Sequence, residues 1–457
     1  MSKKQSKLLA ALLALALIFG AFSPSALAAD DPYTDGAAIT KVLKVPIGTQ
    51  LPAEINFEFE ITPVSVDSAA FNGTNMPDFG NATLSYPADL LVLSAEAVSE
   101  GLTNPYTENG ITYYILETGD ILSLISGSWQ SAGKYEYKIT EKADTFSLNS
   151  YSPAENFTEG MAWSGAEYSM FVFVVESEDS PGTFYIDGIG VVKTKNDDGE
   201  DAGNAKVHVI TPGGDDTEYF WSQIIFENAY WKTPDGDPGD PDTNDASLNV
   251  SKEIGGSAIV DEDYNRFFSF AMSVTPPSII PVDELPDYFA AFVVDVDGSI
   301  VTSLSDYAEA GSIGTIAAGQ PQAGTEFIKF VPGEVCSFKL KPGQSLIFMD
   351  TPVGTAYEIT ESANPYFQPS YQITTSSVSA GQVHGSTSQS LSTGKEYTGE
   401  GQGMLVNLAA FLNICDFNPE TGLASLPLYG MSLLGIAAYA VYSAAKSYGK
   451  KDPDTNS

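Results

Sequence analysis

The sequence predicts an all-β protein: two tandem β-sandwich domains between an N-terminal signal peptide and a C-terminal transmembrane helix. Three observations predict it. Only 18% of the residues are charged, while aromatic residues, Val, Thr, Ser and Gly abound, a composition that suits pleated strands better than helices. Apolar residues alternate with polar ones in run after run, and no helical periodicity of useful length occurs outside the two ends. One ordered set of short motifs also occurs twice, which predicts two copies of one fold rather than one large domain. At 457 residues the chain is in any case too long for a single core.

Residues 1–28 read as a signal peptide. Lys3, Lys4 and Lys7 precede an apolar run from Leu8 to Phe22, and Ala26-Leu27-Ala28 supplies small residues for cleavage after Ala28 or Ala29. Residues 30–232 form the first predicted domain. Its strand signals include Tyr168–Val175, followed by the Gly182–Val192 run. Residues 233–246 are almost all Pro, Gly and acid, and are expected as an extended spacer; their Asp residues leave calcium binding as the alternative. Residues 247–416 form the second domain, in which Phe289–Val294 runs into a turn at Asp295-Val296-Asp297-Gly298. Residues 417–457 hold a second apolar run, 423–445. As a helix it would be about 34 Å long, enough to cross a bilayer, and Lys446, Lys450 and Lys451 follow it as a cytoplasmic stop.

Charge and composition exclude several functions. A net charge of −38, from 21 basic and 59 acidic residues, leaves no basic face for nucleic acid and keeps the surface solvated. Two His and two Cys are too few for a His-based triad or a Cys/His metal centre, so no metal, no cofactor and no turnover enzyme are expected. Cys336 and Cys415 both fall in the second domain, where export permits either a disulfide or two buried thiols. Trp129 and Trp163 are read as core residues, with sugar binding as the alternative.

The repeat carries the chemistry. Phe57, which opens Phe57-Glu58-Phe59, stands sixteen positions after Lys41, and Phe268, which opens Phe268-Ser269-Phe270, stands sixteen after Lys252. Tyr137-Lys-Ile-Thr-Glu141 is matched by Tyr357-Glu-Ile-Thr-Glu361, and Phe226-Glu-Asn228 by Phe411-Leu-Asn413. Each half therefore carries Lys, Glu and Asn in one order. Strand alternation places Lys41 on the face of Ile39 and Leu43, and each Asn on the face of its Phe, which turns both inward. Burial favours a neutral amine and a protonated acid, the pairing that lets a Lys Nζ attack an Asn carboxamide while Glu polarises its carbonyl and relays protons. Ammonia leaves and an isopeptide bond remains. Lys44 and Asn407 are rivals for Lys41 and Asn413, but Lys44 is out of step with the alternation and Asn407 has no Phe two residues before it.

This ordered set resembles the streptococcal pilin isopeptide-linkage domain over residues 37–230 and 247–416. The resemblance implies Ig-like/pilin-type β-sandwiches, crosslinks Lys41–Asn228 and Lys252–Asn413, and Glu141 and Glu361 as their catalytic residues. Asn418-Pro419-Glu420-Thr421-Gly422, with its apolar span and basic tail, is similar to a sortase sorting signal. That likeness implies sortase as a transient partner, cleavage between Thr421 and Gly422 with Pro419 part of the recognised motif, and an exported protein anchored to cell wall or membrane. Asn418 departs from the commoner Leu. The function so implied is a pilin-like or stalk subunit, partnered by other subunits; the alternative is a monomeric adhesin for a host protein or glycan. Lys232 is the nearest candidate for a polymerisation acceptor.

Overall fold

The computed structural model describes residues 36–146, 157–209, 220–317 and 323–416. The expected signal peptide, residues 1–28, the residues read as a sorting motif (Pro419, Thr421 and Gly422) and the apolar run 423–445 lie outside the described residues. Among the described residues the chain is built almost wholly of strands, with one short α-helix, Ala95–Ser99, and brief 3-10 turns. No described helix is long and apolar enough to cross a membrane. The chain divides into two compact units, the first holding described residues up to 146, 159–231 and 279–281 and the second holding the others.

In the first unit, five strands lie in the order Phe157–Ala162, Ile225–Pro234, Thr40–Pro46, Ile111–Glu117 and Tyr106–Glu108. The second sheet runs Asp201–Val207, Phe184–Lys195, Glu167–Glu176, Gly133–Lys142, Ile55–Val66 and Ala69–Ala70, with Ala82–Tyr86 paired to Ile55–Val66. Glu167–Glu176 alternates buried and half-buried residues, and Tyr168, Met170, Val172 and Val174 enter the core. This is period-2 burial of one sheet face.

In the second unit the larger sheet is ordered Ile313–Thr315, Glu326–Phe330, Phe289–Val294, Ser345–Phe348, Leu248–Gly255, Leu408–Ile414, Gln368–Thr375 and Val378–Ser379. The smaller is ordered Val335–Leu340, Phe268–Thr275, Ala356–Glu361 and Leu391–Ser392. Phe289–Val294 is buried at every position. That accounts for its unbroken apolar run, because both of its faces are covered.

Both units pair their first and last strands in parallel and in the same register. Lys41 lies opposite Phe226 and Leu43 opposite Asn228; Lys252 lies opposite Phe411 and Ile254 opposite Asn413. In each unit the first strand also pairs antiparallel with a strand on its other side, so it is central and cannot slip without turning its buried face outward.

The acidic segment 233–246 does not stand free of the second unit. Pro234, Gly236, Pro241 and Ala246 are buried, while the Asp residues and Asn244 are exposed. Asp237 and Asp242 accept hydrogen bonds from the backbone N–H groups of Gly239 and Asn244, which curls the chain into tight turns. A Cβ on Gly236 would fall 2.3 Å from the Met349 carbonyl oxygen, so only glycine permits this docking. Pro and Gly thus act here as small surfaces that pack closely, while the charges remain solvated.

Candidate functional site

The six residues of the repeated Lys–Glu–Asn pattern are brought together three by three, between the two sheets of each unit. Lys41 is on the first strand and Asn228 on the last, neighbours in one sheet; Glu141 reaches them from the Gly133–Lys142 strand of the facing sheet. Lys41 and Asn228 are at most 1% exposed, and the Glu141 side chain is fully buried. Lys41 Nζ lies 2.6 Å from Glu141 Oε2, and Asn228 Nδ2 donates to Glu141 Oε1 at 2.8 Å. One carboxylate thus holds the amine on one oxygen and the carboxamide nitrogen on the other.

The second unit repeats this with a difference. Lys252 Nζ lies 2.9 Å from Glu361 Oε1, and Asn413 Nδ2 donates to the same oxygen at 2.7 Å. Glu361 Oε2 and Asn413 Oδ1 are buried without a hydrogen-bond partner, and the Lys252 contact is an ion pair without hydrogen-bond alignment. Lys252, Glu361 and Asn413 are at most 1% exposed.

The aromatic motifs have a role in both sites. Lys41 Nζ sits 5.0 Å from the centroid of the Phe57 ring and Lys252 Nζ 4.3 Å from that of Phe268, so the first Phe of each Phe-x-Phe covers the amine. The second Phe is the strand partner of the Glu: Phe59 opposite Glu141, Phe270 opposite Glu361. Its ring also meets the Phe two residues before the Asn, at 5.0 Å for Phe59–Phe226 and 5.2 Å for Phe270–Phe411. These walls keep water out. Loss of hydration pulls the Lys41 amine down to about 8, against the opposing pull of Glu141, and the Lys252 amine down to about 8 against Glu361.

Glu141 touches the amide nitrogen of Asn228, not its carbonyl oxygen, so the carbonyl polarisation expected of it is not what this geometry supplies. Asn228 Oδ1 instead accepts the backbone N–H of Ser164 at 2.7 Å. The two contacts agree on the carboxamide's orientation, since a flipped group would set N–H against N–H and oxygen against carboxylate. Sequence reasoning missed Ser164 because a backbone donor leaves no residue-type signal.

The rival residues lie elsewhere. Lys44 pairs with Glu227, both side chains about a quarter exposed. Asn407 ties backbone together: it donates to the carbonyls of Ser247 and Gly399 and accepts from the N–H groups of Gly399 and Ser376. Asn407→Ala would leave these buried groups unpaired. It is expected to destabilise the second unit by about 2–4 kcal/mol in urea unfolding while leaving the mass of the chain otherwise unchanged.

Lys232, the sequence candidate for a polymerisation acceptor, is 2% exposed and paired with Glu400 at 2.9 Å, a position no external enzyme reaches. Cys336 and Cys415 are both free thiols. Trp129 packs edge-on to Tyr135, and Trp163 edge-on to Phe57, as parts of the core wall. Asp295–Gly298 forms a hairpin turn, with Gly298 at φ +85° and Asp295 N–H donating to the Ser299 carbonyl. Among the described residues no group of His, Cys, Asp or Glu side chains is placed to hold a metal ion.

A family model described as a domain of unknown function, DUF7601, matches residues 246–392. No curated protein matches the chain. Among solved structures, the major pilin from Streptococcus pyogenes is 16% identical, with 84% of this chain and 100% of that chain covered and a TM-score of 0.27. A second Streptococcus pyogenes major pilin, T-13, is 13% identical over 84% of this chain and 99% of that one, with a TM-score of 0.25. A pilus-presented adhesin is 12% identical over 52% of this chain and 38% of that one, with a TM-score of 0.21. At such values the functional reading has to come from the chain's own residues.

Proposed function

We propose that this chain is an exported surface protein, a pilin-like or stalk subunit, whose two β-sandwich domains are each closed by a self-made Lys–Asn isopeptide bond. One observation carries the reading: a buried Lys, Glu and Asn meet in both domains, on equivalent strands and in identical register. The bonds would be Lys41–Asn228 and Lys252–Asn413, with Glu141 and Glu361 as the proton-relaying carboxylates. The reaction is single-turnover and self-directed, so the chain is not an enzyme towards other molecules.

The chemistry follows from the contacts. Nζ passes a proton to the carboxylate and attacks Cγ of the Asn. The C=O π bond opens to a tetrahedral centre; the carboxyl group gives that proton to Nδ2 as the Cγ–Nδ2 bond breaks, and the carboxylate then takes the second proton from Nζ, so the Glu ends protonated. Ammonia leaves and the carbonyl re-forms. Burial supports the reaction twice over. It holds the reactants in contact, which removes most of the entropic barrier. It also makes a charged amine costly, so its conversion to a neutral amide relieves a buried ion pair that contributes little to stability by itself. A bond from first strand to last would carry a pulling force past the rest of each domain, the property a surface stalk needs.

By this reading the sorting motif at Pro419, Thr421 and Gly422 passes the chain to a sortase, which joins it to cell wall, or leaves it held by residues 423–445 in the membrane. Polymerisation would need an exposed Lys other than Lys232. Intact mass measurement of the secreted ectodomain, residues 30–416, is expected to show two ammonia lost. Glu141→Ala and Glu361→Ala are each expected to restore one. A wild-type ectodomain at its full formula mass would end the proposal.

A further inference from the structure

We infer that the backbone N–H of Ser164 is a catalytic oxyanion donor for the first domain's crosslink, with Asp197 as the residue that positions it; this rests on the isopeptide reading above. When Lys41 Nζ bonds to Asn228 Cγ, the carbonyl electron pair moves onto Oδ1 before the Cγ–Nδ2 bond breaks and ammonia leaves. The negative charge therefore develops on Oδ1, and Glu141 does not touch that atom. Ser164 N–H does, at 2.7 Å in a buried site. A fixed donor aimed at a developing oxyanion, with water excluded, stabilises the transition state more than the ground state.

The loop that carries this N–H is fixed from several directions. Ser164 Oγ donates to Asp197 Oδ1 at 2.6 Å and accepts the Ala166 N–H at 3.1 Å. Gly165 N–H donates to the Asp197 carbonyl at 2.7 Å. A Cβ on Gly165 would come within 3.0 Å of the Gly199 nitrogen, so the glycine lets these two loops touch. Asp197 Oδ1 also accepts the Glu227 N–H at 2.8 Å, one residue before the reacting Asn, and Lys193 Nζ donates to Oδ2 at 2.9 Å. Asp197 thus ties the donor loop and the acceptor strand to one point. In the second domain Asn413 Oδ1 has no donor, so this device belongs to the first domain alone.

The test replaces one atom group. Full-length chain is made by cell-free synthesis with the α-hydroxy analogue of serine at position 164, which exchanges the N–H for an ester oxygen and keeps the side chain. Samples are quenched over time, and each crosslink is read by peptide mass. Lys41–Asn228 is expected to form about a hundredfold more slowly than in the all-amide chain, while Lys252–Asn413 keeps its rate as the internal clock. Protease resistance of the first domain separates slow bonding from failure to fold. An unchanged first-domain rate in folded ester chain overturns the inference. So does equal slowing of both bonds. If the all-amide chain loses no ammonia at all, the isopeptide reading itself fails and takes this inference with it.

Discussion

Lys252→Met is expected to lower the melting temperature of the second domain by about 10–20 °C. The substitution removes the amine but keeps an unbranched side chain of similar length over Phe268, so packing changes little. On the proposed function, what would disappear is a covalent closure between residues 252 and 413, spanning almost the whole domain. By the loop-entropy relation used for disulfides, a closure of that length is worth about 5 kcal/mol, and a domain of this size loses about 2–4 °C per kcal/mol. Glu361 would be left buried without its partner, so Glu361→Gln in the same chain is the control and is expected to melt within a few degrees of Lys252→Met alone. Scanning calorimetry of the full ectodomain reads both, because the first domain keeps its own transition. A loss smaller than about 3 °C would mean that no bond closes this domain.

The second large effect is on pH. Burial draws the Lys41 amine down to about 8, and the same holds for Lys252. The reactive pair, a neutral amine beside a protonated carboxyl, carries the same number of protons as the ion pair from which it forms. The rate of bond formation should therefore be flat below about pH 8 and fall about tenfold per unit above it, as the shared proton is lost. At pH 10 the reaction is expected to run about a hundredfold slower than at pH 7. A rate that rises with pH instead would show that a neutral amine suffices and that the carboxyl proton is not used. Stability of the uncrosslinked chain moves the opposite way. An amine whose folded pKa is depressed opposes folding below about pH 8, and that cost is relieved between about 8 and the ordinary value near 10.5.

Period-2 alternation was legible without a structure. It turned Lys41 towards the side of Leu43, and Asn228 towards the side of Phe226, and the parallel register places these residues on one shared face. The spacing from Lys to Phe-x-Phe, the same in both halves, marked a duplicated unit, although the role of each Phe as cover for the amine or neighbour of the Glu was not readable. Asn407 shows why composition misleads: it shares the buried surroundings of Asn413, yet all its polar atoms are spent on backbone. Lys232 shows the same for charge, since its partner Glu400 is 168 residues away in sequence.

The order of residue types along the chain determined by itself that the protein is β-rich, duplicated, strongly acidic and poor in the His and Cys that a Cys/His metal centre or a His triad requires. It also singled out the residue types capable of the proposed crosslink, because alternation and repetition are local properties of a strand. Only the tertiary structure decided that Glu141 grips the amide nitrogen while a backbone N–H takes the carbonyl oxygen, that the two sites differ in this, and that the acidic 233–246 segment docks. Those facts depend on contacts between sheets and on backbone groups, which every residue carries alike.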